Sequence, residues 1–134
     1  KSSSLSKQEW EAIRNHPEVG YDILEAAGDV SEEVRVIVLQ HHERYAGGGY
    51  PQELKGEEIH PYGRICCIAD VFDALCTHRA YSPALSTFEA LRKMREEMRG
   101  HFDPDYFWEF VLLFDWRDGQ GQIQSGMPGM EAGK

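Results

Sequence analysis

The stretch from Ile65 to Cys76 reads I-C-C-I-A-D-V-F-D-A-L-C, and only Asp70 and Asp73 in it are polar. This pattern predicts a helix that is buried nearly all round. Pro61, just upstream, is well placed as its first residue, where the missing N–H costs nothing. A carboxylate in the middle of such a helix is expensive. An unpaired buried Asp70 would cost several kcal/mol or shift its pKa upward. It therefore needs a cation such as Arg64 or Arg79, or a metal ion. Asp73 reads as structural, paired with a basic side chain or capping a neighbouring group.

The remaining segments are also helical in pattern. Ser6-x-x-Glu9 is a capping box that opens the first helix, with Trp10 and Ile13 on one face. His16-Pro17 predicts an interruption, because the residue before proline is pushed out of the α region. A second helix over Glu18 to about Ala27, with Val19 and Ile23 in register, stops at Gly28. The next starts near Asp29 or Ser31 and runs to about Tyr45, with Val34, Ile37, Val38 and His41 at helical spacing. Gly47-Gly48-Gly49-Tyr50-Pro51 breaks the chain. Ser86-x-x-Glu89 opens a helix to about Arg99, its core face Phe88, Leu91, Met94 and Met98. Asp103-Pro104 starts the last helix, with Phe107, Phe110, Val111 and Phe114 inward. No run alternates with period two, so the expected fold is all-α with about six helices. The expected helical domain covers residues 1–116. Residues 117–134 carry five glycines and read as a disordered tail.

Charge and cysteine usage narrow the function classes. There are 14 Lys+Arg against 23 Asp+Glu, a net charge of −9. That argues against a broad electrostatic grip on DNA or RNA. It leaves room for a small phosphate ligand held through metal ions or a few local cations. A membrane span needs about 20 apolar residues, and no such run occurs. Three cysteines, two of them adjacent, read as reduced core thiols of a cytoplasmic protein.

Three histidines stand out: His16 before a proline, and His41 and His42 at the end of an apolar helix beside the glycine loop. Each could be a satisfied core histidine. Together with Asp70 they could instead form a metal site, where imidazole nitrogen and carboxylate oxygen suit Fe, Mn or Zn. The loop allows positive φ and close backbone approach to a ligand, or it is simply a helix connection. Tyr50 offers a flat face and a hydroxyl.

In order, the chain carries His16-Pro17, Gly20, His41-His42-Glu43-Arg44, Gly47-Gly48-Gly49-Tyr50-Pro51, Arg64-Ile65, Ala69-Asp70-Val71-Phe72-Asp73-Ala74-Leu75 and Arg79-Ala80-Tyr81. This series resembles the HD-GYP family of metal-dependent phosphohydrolases, a branch of the HD superfamily, over about Leu5–Phe110. The resemblance implies an HD-domain-like helical bundle that hydrolyses cyclic dimeric GMP in bacterial signalling. It implies two or three divalent ions, iron or manganese, held in part by His16, His41, His42 and Asp70. Gly49, Tyr50 and Pro51 would form the signature loop beside the substrate, Arg79 and Tyr81 would face its phosphates or bases, and Arg44 would organise the loop. Diguanylate cyclase, sensor or receiver domains and a homodimer are the partners it suggests. The family pattern also has an upstream metal-binding Glu, a His-Asp doublet and a Lys. No His-Asp dipeptide occurs here, so the chain resembles the C-terminal part of the domain, an incomplete catalytic unit. Ala46, Ala80 and Ser82 stand where the family usually has Asp, Pro and a basic residue. They favour the alternative of a catalytically degenerate regulatory or interaction module.

Overall fold

The computed structural model describes residues 4–80 and 82–114. Tyr81 and the glycine-rich segment 117–134 lie outside them. Within the described residues the fold is five α-helices with two short 3-10 turns: α1 (Lys7–Ala27), α2 (Glu32–Gln40), α3 (Pro61–Cys76), α4 (Thr87–Glu97) and α5 (Pro104–Val111).

The count is five because the expected break at His16-Pro17 does not occur. α1 runs unbroken with Pro17 inside it. A proline cannot donate to the carbonyl four residues back, here Ile13. The His16 ring supplies the missing donor, Nδ1–H to the Ile13 carbonyl oxygen, so the orphaned acceptor is satisfied locally. The helix opens on the capping box read from the sequence: Ser6 Oγ accepts from the Glu9 amide at 3.2 Å and Glu9 Oε2 from the Ser6 amide at 2.7 Å. It closes on Gly28 at φ 82°, a left-handed cap that suits glycine.

α2 starts at its Ser31 cap and ends at Gln40 rather than near Tyr45, with His41 as the C-cap. It lies against α1 so closely that a Cβ on Gly20 would come 2.9 Å from Val38 Cγ1. Gln40 Oε1 accepts from the His60 amide at 2.7 Å and ties the end of α2 to the start of α3. α3 begins at Pro61 as expected, capped by His60 Nδ1 accepting from the Tyr62 amide.

The core joins Cys67 and Ile68 of α3 with Leu91 and Met94 of α4, and with Phe102, Phe107 and Val111 at α5. Full burial of Leu91, Met94 and Val111 stabilises the fold by roughly 1.5–3 kcal/mol each. Burial pushes the Cys67 thiol up to about 12. It is thus a protonated core group, with its Sγ–H donating to the His101 carbonyl at 3.8 Å. Arg64 Nη1 meets Asp103 Oδ2 at 2.7 Å with both side chains largely buried. Arg64 Nε also donates to the Ile59 carbonyl, and Asp103 caps α5.

Several apolar positions are not covered. Ile65 on α3 is 48% exposed, Val19 and Ile23 on α1 are 54% and 63%, and Phe88, expected in the core, is 39%. Ala69, Asp70 and Asp73 are exposed too, so α3 is buried on one side, not all round. The apolar pattern reports what a residue would gain from cover; α2, α4 and α5 supply that cover to only part of the α3 surface. No helix of the described residues is long and apolar enough to cross a membrane.

Candidate metal centre

His16, His41 and His42 converge. One ring nitrogen from each lies within 4.8 Å of the others, His16 exposed and the other two half-buried. α1 brings His16 from one side, and the end of α2 brings the adjacent pair from the other. The ring centroids of His16 and His42 are 5.1 Å apart and those of His41 and His42 4.0 Å apart.

Two of the three rings are oriented by the backbone in the same way. His16 Nδ1–H is committed to the Ile13 carbonyl. His41 Nδ1–H donates to the Val38 carbonyl at 2.9 Å and lies 3.2 Å from that of Ile37. The Ile13 carbonyl is left short of a donor by Pro17 in the middle of α1, and the Val38 carbonyl lies in the last turn of α2, where a helix end runs short of donors. A committed Nδ1–H fixes the tautomer and leaves Nε2 with its lone pair, the arrangement typical of metal-ligating histidine. His42 is lowered to about 4, first by burial and then by the charges of His41 and His16, against an opposing pull from Asp70. All its donor capacity at neutral pH is therefore that of an uncharged imidazole. Nitrogens sharing an ion at about 2.1 Å lie at most about 4.2 Å apart, so a small side-chain adjustment brings this group to coordination distance. Three converging imidazoles fit a divalent transition metal.

Asp70 falls outside this group of three and is exposed. It is close enough for its charge to act on His42 and on Tyr50. The expected ion pair with Arg64 is not made, since Arg64 is taken by Asp103. Arg79 is exposed and its backbone bridges to Ser82.

The glycine loop closes over the histidine pair for a reason other than ligand approach. Gly47 and Gly48 take positive φ of 96° and 86°. Gly49 is buried, and a Cβ there would sit 2.5 Å from the Arg44 amide nitrogen and 2.6 Å from the His42 carbonyl. The close approach is thus to the chain's own backbone at His42–Arg44. Tyr50 donates its amide to the His42 carbonyl at 3.2 Å. Its ring stacks on His42 at 4.9 Å and 20°, so one face of Tyr50 is already used. Burial raises its hydroxyl pKa.

Glu43 was not singled out by the sequence reading, yet it holds this arrangement. It is only 2% exposed. Its two carboxylate oxygens accept from the Gln52 amide at 2.7 Å and the Leu54 amide at 2.9 Å. It pins the chain after Pro51 beneath the histidine pair. Its position between His42 and the loop was the only signal, and a charge in a polar run does not announce burial.

The chain belongs to the HD domain family, whose model matches residues 1–106, and within it carries the HD-GYP signature residues. It is 39% identical over 111 residues to a cyclic di-GMP phosphodiesterase of Pseudomonas aeruginosa, covering 83% of this chain and 27% of that protein. It is 39% identical over 105 residues to the cyclic di-GMP phosphodiesterase response regulator RpfG of Xanthomonas campestris, covering 78% and 28%. A 3'3'-cGAMP-specific phosphodiesterase of Vibrio cholerae is 35% identical over 121 residues, covering 84% and 23%. The chain thus spans about a quarter of the length of these relatives. A solved HDG"Y"P protein from Bdellovibrio bacteriovorus superposes with a TM-score of 0.65 at 21% identity, over 83% of this chain and 35% of that one. That likeness establishes the all-helical fold.

Proposed function

We propose that this chain contributes to a metal-dependent phosphodiesterase that hydrolyses cyclic dimeric GMP. The observation that carries the reading is the convergence of His16, His41 and His42 with the Nδ1 atoms of two already spent on backbone carbonyls. These three would hold divalent metal, with Asp70 as a further ligand from α3. Iron or manganese, two or three ions in all, is the expected complement. Bound divalent ions supply Lewis acidity that makes water nucleophilic near neutral pH and polarises phosphoryl oxygens. The chain's own part is to hold the His42 imidazole neutral, to orient the His16 and His41 rings through their Nδ1 bonds and to shield one side of the cluster with Tyr50. Gly49, Tyr50 and Pro51 would border the substrate, with Arg79 and Tyr81 reaching its phosphates or bases.

Among the described residues the donor group holds no carboxylate, and this favours the second reading, a regulatory or interaction module with weak metal binding. One experiment separates the two. The chain is loaded anaerobically with Fe(II) or Mn(II), metal is counted, and cyclic di-GMP turnover is followed. Measurable hydrolysis that disappears with metal in His41→Ala supports the phosphodiesterase. A folded His41→Ala with unchanged metal stoichiometry removes His41 from the centre. Full metal occupancy without hydrolysis favours the module.

A further inference from the structure

The candidate ligands stand on two different parts of the fold. His16 belongs to α1 and the His41–His42 pair follows α2, whereas Asp70 belongs to α3. The apolar core is built from α3, α4 and the stretch 98–114, with no member from α1 or α2 among the described residues. Close packing therefore holds α3, and Asp70 with it, against α4 and α5 and not against the histidines. Asp70 is near enough for its charge to act on His42, yet it falls outside the group of three. A metal site needs its donors held to within about 0.5 Å, so the placement of α2 against α3 decides whether Asp70 joins.

Gln40 stands at that junction. It is the last residue of α2 and half-buried. Its carbonyl accepts from the Glu43 amide at 2.9 Å, which closes the turn that carries both histidines. Its side chain reaches the other way, where Oε1 accepts from the His60 amide at the N-cap of α3 at 2.7 Å. A helix start leaves that donor without an intrahelical partner. The stem of Gln40 also lies against α3, since a Cβ added to Gly63 would come 3.0 Å from Gln40 Cβ. Farther along the chain, Tyr45 and Ala46 donate to the His101 and Gly100 carbonyls, so the later end of the histidine turn is held by backbone bonds. Arg64 ties α3 to Ile59 and Asp103, and Glu43 ties the turn to Gln52 and Leu54. Neither of these spans α2 and α3.

Resting on the phosphodiesterase reading above, with Asp70 as a further ligand, we propose that Gln40 is a positioning residue that sets Asp70 at ligand distance from the His41–His42 pair. From His60 to Asp70 the helix rises about 15 Å, so a tilt of about 5° between α2 and α3 moves Asp70 by about 1 Å. The Gln40–His60 bond sits at the far end of that lever from Asp70 and holds the tilt.

The test is a double-mutant cycle on Mn(II) affinity, titrated calorimetrically on the full chain, with metal-free melting alongside. Gln40→Met keeps the length of the side chain and loses the acceptor; it is expected to weaken Mn(II) binding about tenfold. Gln40→Glu keeps an acceptor for the His60 amide and should stay within about threefold of wild type. In an Asp70→Ala background, Gln40→Met should change the affinity less than about twofold further. Gln40→Asn, too short to reach the His60 amide, is read in the same way if Gln40→Met does not melt cooperatively. An unchanged affinity in Gln40→Met, equal losses with and without Asp70, or no rescue by Gln40→Glu overturns the positioning role. A loss in Asp70→Ala with none in Gln40→Met overturns that role alone and leaves the metal reading standing. An Asp70→Ala chain that binds Mn(II) like wild type overturns the ligand role of Asp70 and the positioning role together, as does a wild type that binds no Mn(II).

Discussion

Pro17→Ala should separate the stability of the fold from the affinity of the metal centre. Pro17 is fully buried in the middle of α1. Replacing it removes two ring carbons, which costs about 1.6 kcal/mol at roughly 0.8 kcal/mol per buried CH₂. Against that, alanine restores an amide at position 17 and removes an interior proline penalty of about 3 kcal/mol. The net effect on stability is about 1 kcal/mol in favour of the variant. The same amide now competes for the Ile13 carbonyl, the acceptor that orients His16. Loss of a histidine's orienting partner typically weakens metal binding about 10–100-fold. The variant should therefore melt at or above the wild-type temperature while its Mn(II) affinity, titrated calorimetrically, falls by at least about tenfold. A variant of wild-type stability whose metal affinity is unchanged would refute the role given to the His16–Ile13 bond.

Three other substitutions or conditions test the remaining supports. Glu43→Gln keeps the shape but cannot accept from both the Gln52 and Leu54 amides; urea denaturation should show a loss of about 2–3 kcal/mol, and a loss under about 0.5 would mean the loop is held otherwise. Arg64→Ala strands the Asp103 carboxylate beside α5 and should cost about 3–5 kcal/mol, whereas Arg64→Met with Asp103→Asn should recover much of it; equal losses in both would contradict a buried ion pair. His42 is held at about 4 in the fold against 6.5 unfolded, so the unfolded chain takes up its proton first as pH falls. Its contribution is constant above about pH 7 and stability is lost on going from 6.5 toward 4. After screening of this partly exposed ring, that loss is about 1 kcal/mol by pH 5. Metal-free unfolding at pH 7 and pH 5 should show that extra acid sensitivity in the wild type and not in His42→Asn; identical slopes would contradict it.

The helices were legible because their signals are local. Ser6 and Glu9, Ser86 and Glu89, Gly28 and Pro61 each mark an end through bonds made within one turn. The convergence of His16 with His41 and His42 was legible only through resemblance, since no spacing rule brings position 16 to position 41. What failed was inference about surroundings. Asp70 looked costly because its neighbours in sequence are apolar, yet its side of α3 faces outward. Pro17 looked like a break because the rule weighs the lost amide and not a side chain that replaces it. Glu43 was passed over for the opposite reason: its charge suggested water, and its partners lie nine and eleven residues on.

The acidic balance of the chain gains a sharper meaning beside this geometry. A net charge of −9 opposes any anionic ligand, and His42 at the centre does nothing to offset it. His42 is uncharged at neutral pH, while His16 and His41 direct their Nδ1 protons into backbone carbonyls rather than outward. Arg14 of α1 is shared with Glu53. What the protein presents at the cluster is thus lone pairs, and lone pairs attract cations. On the proposed reading, phosphate affinity is conditional on metal loading, and His42, uncharged at neutral pH, can take up a divalent ion without first releasing a proton.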